Sequence, residues 1–277
     1  MSSSLESTLV LCDLDHLLLG TDGNLTQVVR DVLQLFCSRG GRLTVFSQRA
    51  PRAVRAILGS VRLSAPALVC GGTMAFHYAD GTSSQLCSFA GQDQDIFLRL
   101  PAVSGVGIAL QMRDGTTRVL RMSEALERHL RQEWTPYLLT NAADICREDV
   151  LRVLLYQDSK NIQLGSLLEK TLGNSTAALL AERAAADLVV LTPRTVSGSE
   201  MLDAVCMPVG IPTENVLVVA GSLPMLDLVH AAGQSAAAAD APAELRLAAQ
   251  KVTLTDCAGG AAVEVLYRMV RDAENRT

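Results

Sequence analysis

The chain has 277 residues, of which 49% are hydrophobic and 19% charged, and a formal net charge of −5. That composition describes a globular protein with ample core for one large domain or two small ones, and it excludes a disordered chain. The acidic balance, with no basic block, argues against non-specific nucleic-acid binding, and no apolar run reaches the ~20 residues of a membrane span. The segment 1–7 has no basic stretch ahead of an apolar core, so no signal peptide is expected. The seven cysteines (12, 37, 70, 87, 146, 206 and 257) are scattered and form no Cys-x-x-Cys pair. This argues against a zinc site or redox dithiol and for a reducing, cytoplasmic setting.

Residues 8–12 (Thr-Leu-Val-Leu-Cys) form a short apolar, β-branched run that reads as a buried strand. Asp13 and Asp15 follow at its carboxyl end, and the cluster from Gly20 to Asn24 breaks the pattern. In an open α/β sheet, ligands bind where strands end, and two carboxylates placed there suit nucleophilic attack and metal binding. Taken alone, the pair reads better as a plain strand ending. Thr26 is the expected N-cap of a helix carrying Val28, Val29, Val32, Leu33, Leu35 and Phe36 and ending at Gly40-Gly41. A strand at 43–46, a helix at about 52–58 and a strand at 67–70 complete a β-α-β-α-β series, which predicts a parallel sheet with helices on its faces.

The texture changes from about residue 84. Strands at 106–112 and 117–120 flank Asp114-Gly115, a hairpin signal. A helix at 123–133, a strand at 150–156, helices near 162–172 and 176–186, and a strand at 188–191 follow. Trp134, the one tryptophan, reads as a packing residue. The β-α rhythm then resumes, with helices at 199–205, 224–230, 242–250 and 260–270 and strands at 216–219 and 251–254. The first and last thirds are expected to share one sheet, with the middle third as an α+β insert. Gly105-Val106-Gly107 lacks the third glycine of a dinucleotide fingerprint.

The order of several short motifs resembles the haloacid-dehalogenase superfamily, specifically the Cof-type phosphatases. Asp13-Leu14-Asp15-His16-Leu17-Leu18 sits where that family has D-x-D-G-T-L, and Phe46-Ser47-Gln48-Arg49 where it has T-G-R. Val69-Cys70-Gly71-Gly72 corresponds to its N-G-G turn, and the segment 196–202 (Val-Ser-Gly-Ser-Glu-Met-Leu) to v-S-K-G-x-A-L. The segment from Gly210 into Gly221 corresponds to the approach to G-D-x-x-N-D. The resemblance implies an α/β fold: a Rossmannoid core with a parallel sheet over 1–83 and 191–277, and an inserted α+β cap over 84–190. It implies Asp13 as the nucleophile that forms an aspartyl-phosphate and Asp15 as the general acid/base. Ser47 and the Gln48 N–H would hold the phosphoryl group, and Mg²⁺ would be bound by Asp13, Asp15 and Asp227. The implied ligand is a small phosphorylated metabolite, with neither nucleic acid nor membrane as a partner.

The pattern breaks at two places. The lysine of the third motif aligns with Gly198, and none of the three lysines (Lys160, Lys170, Lys251) falls near it. In the fourth motif Ser222 replaces the first acid and Asp227 is the nearby acid, with a surface residue in an early helical turn an equal reading of it. Losing a cation ~4 Å from the phosphoryl charge forfeits about 4 kcal/mol at an effective dielectric of ~20. That is roughly a thousandfold in rate. Arg49 and Arg194 are possible substitutes, though neither aligns with the lysine. His16 and Leu17 also replace Gly-Thr. The reading favoured is therefore a protein of this lineage with weak or lost phosphatase activity. The alternative is a working magnesium phosphatase.

Overall fold

A computed structural model describes residues 5–92, 95–133, 135–158, 164–173, 180–185, 187–258 and 260–275. Trp134, Lys160, Gly259, the start of the helix expected from residue 162 and the first residues of that expected from 176 lie outside them. The chain divides into two compact units: Met1–Arg49, Val54–Ser84 and Ser197–Thr277 form one, and Ala50–Ala53 with Gln85–Val196 the other.

The first unit opens with β1 (Leu9–Asp13), α1 (Gln27–Ser38), β2 (Arg42–Phe46), α2 (Pro51–Leu58), β3 (Ala67–Val69), β4 (Met74–Phe76) and β5 (Ser83–Gln85). The second unit carries α3 (Asp95–Arg99), β6 (Val106–Met112), β7 (Thr117–Arg121), α4 (Glu124–Gln132), β8 (Tyr137–Leu139), β9 (Val150–Gln157), α5 (Leu164–Leu172), β10 (Leu180–Ala185) and β11 (Leu188–Thr192). The chain returns to the first unit with α6 (Gly198–Cys206), β12 (Val216–Ala220), α7 (Leu226–Ala231), β13 (Gln234–Ala237), α8 (Ala243–Ala248), β14 (Lys251–Val252) and α9 (Ala261–Glu274).

The eight strands of the first unit lie in the order β14-β13-β12-β1-β2-β3-β4-β5. Pairing is parallel from β14 through β3, and β4 turns antiparallel to β3. β1 and β12 are buried along their whole length, as expected of strands covered on both faces. A fully buried leucine such as Leu9 or Leu11 contributes about 1.5–3 kcal/mol by leaving water. Thr26 caps α1 by accepting the Val29 N–H at 3.3 Å. The chain runs from β1 to β2 on one side, and β12 comes much later to the other side. The strand order thus reverses at β1, which makes its carboxyl end the place where an open α/β sheet offers a crevice.

The second unit is a six-stranded sheet ordered β10-β11-β9-β6-β7-β8. Pairing is antiparallel except between β7 and β8. One face packs Phe89, Ile96, Phe97 and Leu100 against Ile108, Leu110, Val153 and Leu155, and Leu164, Leu168 and Leu172 of α5 close it. The other face packs α4 through Ala125, Leu126 and Leu130 onto Ala109, Val119 and Leu154. Gly107 is explained here: a methyl group at that position would come within 2.7 Å of Leu126 Cβ, so the glycine lets α4 lie on β6. The hairpin at Asp114-Gly115 is present, and Asp114 Oδ1 accepts the Thr116 N–H at 2.8 Å.

One expectation fails in this unit. The described part of the helix expected over 176–186 is the strand β10, antiparallel to β11 with Leu180 opposite Thr192. Its sequence Leu-Ala-Glu-Arg-Ala-Ala carries strong helix formers, and pairing at the sheet edge overrides that local preference.

Candidate functional site

Three neighbouring parallel strands end together in the first unit. β1 ends at Asp13, β2 is followed by Ser47-Gln48-Arg49, and β12 is followed by Gly221-Ser222. Asp13 caps a single π-helical turn, Leu14–Leu18, whose Leu14, Leu17 and Leu18 are buried. That apolar triplet holds the turn down and lifts Asp15 and His16 out of it.

Asp13 is 1% exposed, and both of its oxygens are engaged. Oδ1 accepts the His16 N–H at 3.2 Å and lies 3.3 Å from His16 Nδ1. Oδ2 accepts the Ser222 hydroxyl at 2.6 Å. The hydrogen bond to Asp13 raises the His16 pKa above the ordinary histidine value, and this outweighs the opposing effect of partial burial.

Asp15 turns toward the end of β2. Ser47 Oγ lies 3.1 and 3.0 Å from its two oxygens, the Gln48 N–H donates to Oδ2 at 2.7 Å, and Arg49 Nε donates to Oδ1 at 2.8 Å. Burial pushes the Asp15 carboxyl above the usual carboxylate range, although Arg49 and the Gln48 N–H oppose this. The Ser47–Arg49 turn is tied to β3: Ser47 N–H donates to Leu68 O at 2.8 Å, Cys70 N–H to Arg49 O at 2.9 Å and Gly71 N–H to Ser47 O at 2.9 Å. Cys70, Gly71 and Gly72 all have positive φ, at 52°, 64° and 83°, so this corner is tightly wound.

The other side of the site is close-packed backbone. Ser197 and Glu200 form a capping box at the start of α6. A methyl group on Gly198 would fall on the Asp227 carbonyl and come within 2.9 Å of Leu228 N, so α7 occupies the place of any side chain at 198. Arg194 belongs to the second unit, where it donates to Thr195 O and Leu86 O at 2.9 and 2.7 Å.

The structure therefore brings Asp13, Asp15, Ser47 and Gln48 together and leaves Asp227 exposed in the first turn of α7. Magnesium takes an octahedral shell of hard oxygens, usually including one or two carboxylates and several waters. Among the described residues, no three His, Cys, Asp or Glu side chains are grouped to hold a metal ion. Asp13 already accepts the Ser222 hydroxyl, and the further acid expected beside Asp13 and the Asp15 carbonyl is not there, since Asp227 is exposed in α7. This donor set does not fit the ion. The sequence singles out His16, Arg49 and Ser222, but not their three contacts with the acids. The Asp13–His16 spacing of three residues on one turn could have suggested the first, and the position of Arg49 two residues after Ser47 the second. The Ser222–Asp13 bond spans 209 residues and has no local signal.

The sequence pattern of the haloacid dehalogenase-like hydrolases matches residues 10–265. No curated protein matches the sequence. A solved haloacid dehalogenase-like hydrolase from Bacteroides thetaiotaomicron superposes with a TM-score of 0.79 at 16% identity, covering 95% of this chain and 99% of that one. A protein of Thermotoga maritima gives 0.79 at 16% identity, with 94% and 97% covered. A sugar phosphatase of subclass IIB gives 0.74 at 13% identity, with 95% and 99% covered. At such identities the likeness is one of fold.

Proposed function

Since the chain belongs to the haloacid dehalogenase-like hydrolase family, we propose that it is a member of Cof-type lineage whose phosphatase chemistry is weak or lost and whose core serves in ligand binding. The observation that carries this reading is the short bond from Ser222 to Asp13 Oδ2. It engages the carboxylate in the position of the nucleophile, where the family pattern has an acid in place of the serine. The packing of Gly198 against α7 supports it, because a lysine there has no room. An attacking Asp13 would face a phosphate dianion with Asp15 beside it. The side chains in this network that can carry positive charge are Arg49 and, when protonated, His16, each paired with one of the two acids. The donors that would grip a phosphoryl group, Ser47 Oγ and the Gln48 N–H, both point to Asp15.

On this reading residues 84–190 act as a cap that selects the ligand, and a small phosphorylated metabolite is the ligand class. Neither nucleic acid nor membrane is a partner. No helix among the described residues is long and apolar enough to cross a membrane. Seven free cysteines agree with a reducing, cytoplasmic setting.

A second reading, an active magnesium phosphatase working through an aspartyl-phosphate at Asp13, is favoured by one observation. Asp13, Asp15 and Ser47 all stand at adjoining strand ends, with Arg49 2.8 Å from Asp15. The deciding experiment is hydrolysis of p-nitrophenyl phosphate and a panel of sugar phosphates in millimolar Mg²⁺, with wild type and Asp13→Asn side by side. The proposal expects wild-type rates at or close to the background seen with Asp13→Asn. Turnover about a thousandfold or more above background that Asp13→Asn abolishes would refute it and establish the second reading.

A further inference from the structure

We infer that Ser222 and His16 together stand in for a divalent cation at Asp13, so that this strand end as it stands does not take one. The inference rests on reading this strand end as a family site with altered chemistry, and it concerns what Asp13 binds rather than what it turns over.

A carboxylate buried to 1% exposure needs donors or a counter-charge. Asp13 receives both from its own chain. The Ser222 hydroxyl serves Oδ2 at 2.6 Å, a charge-assisted length. The His16 N–H and imidazole serve Oδ1 at 3.2 and 3.3 Å. These two residues are the ones that depart from the family pattern on either side of Asp13, with histidine in place of glycine and serine in place of an acid. The turns that carry them also pack on each other. A methyl group on Gly221 would come within 2.9 Å of Leu17 Cδ2 and 3.0 Å of His16 Cβ. The departures therefore act as one unit: a hydroxyl and an imidazole close over the carboxylate from opposite turns. A hydroxyl brings one proton and no negative charge, so it satisfies Asp13 and offers a divalent ion nothing to neutralise. An aspartate at 222 reverses this. It sets a second carboxylate against Asp13, which is repulsive in a cation-free buffer and chelating when a cation is present.

The test is thermal unfolding and calorimetric titration of the full chain in EDTA, in millimolar Mg²⁺ and in millimolar Mn²⁺. Wild type, Ser222→Asp, and Ser222→Asp combined with His16→Gly are compared. The expected result is a wild-type Tm that does not move with either ion and no heat of binding. Ser222→Asp should melt lower than wild type in EDTA and regain several degrees with Mn²⁺ or Mg²⁺. The double variant should bind more tightly, because the imidazole no longer covers Oδ1. Saturable binding of Mg²⁺ or Mn²⁺ by wild type that Asp13→Asn removes would overturn the inference. So would a folded Ser222→Asp chain that neither melts lower in EDTA nor binds either ion. Should that variant fail to fold, the titration of wild type beside Asp13→Asn still decides. The two proposals fail separately. Asp13-dependent turnover without metal would sink the proposed function alone, and metal binding without turnover would sink this inference alone.

Discussion

The two sides of the core's strand-end site are built differently. On the β1–β2 side Asp13, Asp15, Ser47, Gln48 and Arg49 stand at adjoining strand ends, and Asp15 is bonded to Ser47, Gln48 and Arg49. On the β12–α6–α7 side the backbone is tightly packed: Gly198 lies under the Asp227 carbonyl and Gly221 against His16 and Leu17. The first side is held by hydrogen bonds, the second by steric contact. Polar groups that bond one another hold their geometry, because an unpaired buried polar group costs about 1–3 kcal/mol. Where a glycine presents no side chain, the neighbouring helix packs directly on its backbone.

The contrast can be broken most forcefully at Gly198. Gly198→Ala should cost about 3 kcal/mol, at the upper end of overpacking effects, because the contact is with backbone that cannot rotate away. Urea unfolding measures it, and a neutral result would mean that α6 and α7 part easily. The next effect lies across the site. Ser222→Ala should cost roughly 2 kcal/mol by leaving Asp13 Oδ2 without its donor. Adding Asp13→Asn to it should recover part of that loss, because the group left unpaired is then neutral. If the double variant is no more stable than Ser222→Ala, the charge on Asp13 is not what the hydroxyl serves.

The smallest effect is a pH dependence. The folded-state pKa of His16 is raised, chiefly by its bond to Asp13, so folding favours the imidazolium. Its contribution is fully present below the unfolded value of about 6.5 and is lost as the pH rises through the folded value. The stability difference between wild type and His16→Gln should therefore be largest below about pH 6.5 and shrink as the pH rises above it. Half of the His16 side chain is exposed, so the effect should be modest and should weaken with salt. A difference that grows with pH would show that the ring bonds Asp13 as a neutral donor.

The parallel core was largely legible in the sequence, because its strands are buried runs followed by polar turns and its helices carry caps. Thr26 and the glycines at 40 and 41 marked α1 at both ends. What was not legible depended on pairing. β13, Gln-Ser-Ala-Ala, is a strand made of poor strand formers, and only its parallel register with β12 makes it one. β10 looked helical for the converse reason. The acids and the serine of the site followed from the motif order. Their partners did not, because Ser222 meets Asp13 only once β12 lies beside β1.

The contact at Gly198 also bears on reversibility. On the proposed reading a lysine is wanted at 198, and one substitution does not supply it usefully. The Asp227 carbonyl fills the space for a side chain there, so a change to lysine lowers stability before it can raise activity. The packing of α6 on α7 works as a ratchet: the helices must separate first, and nothing in the site rewards the separation until the lysine is back.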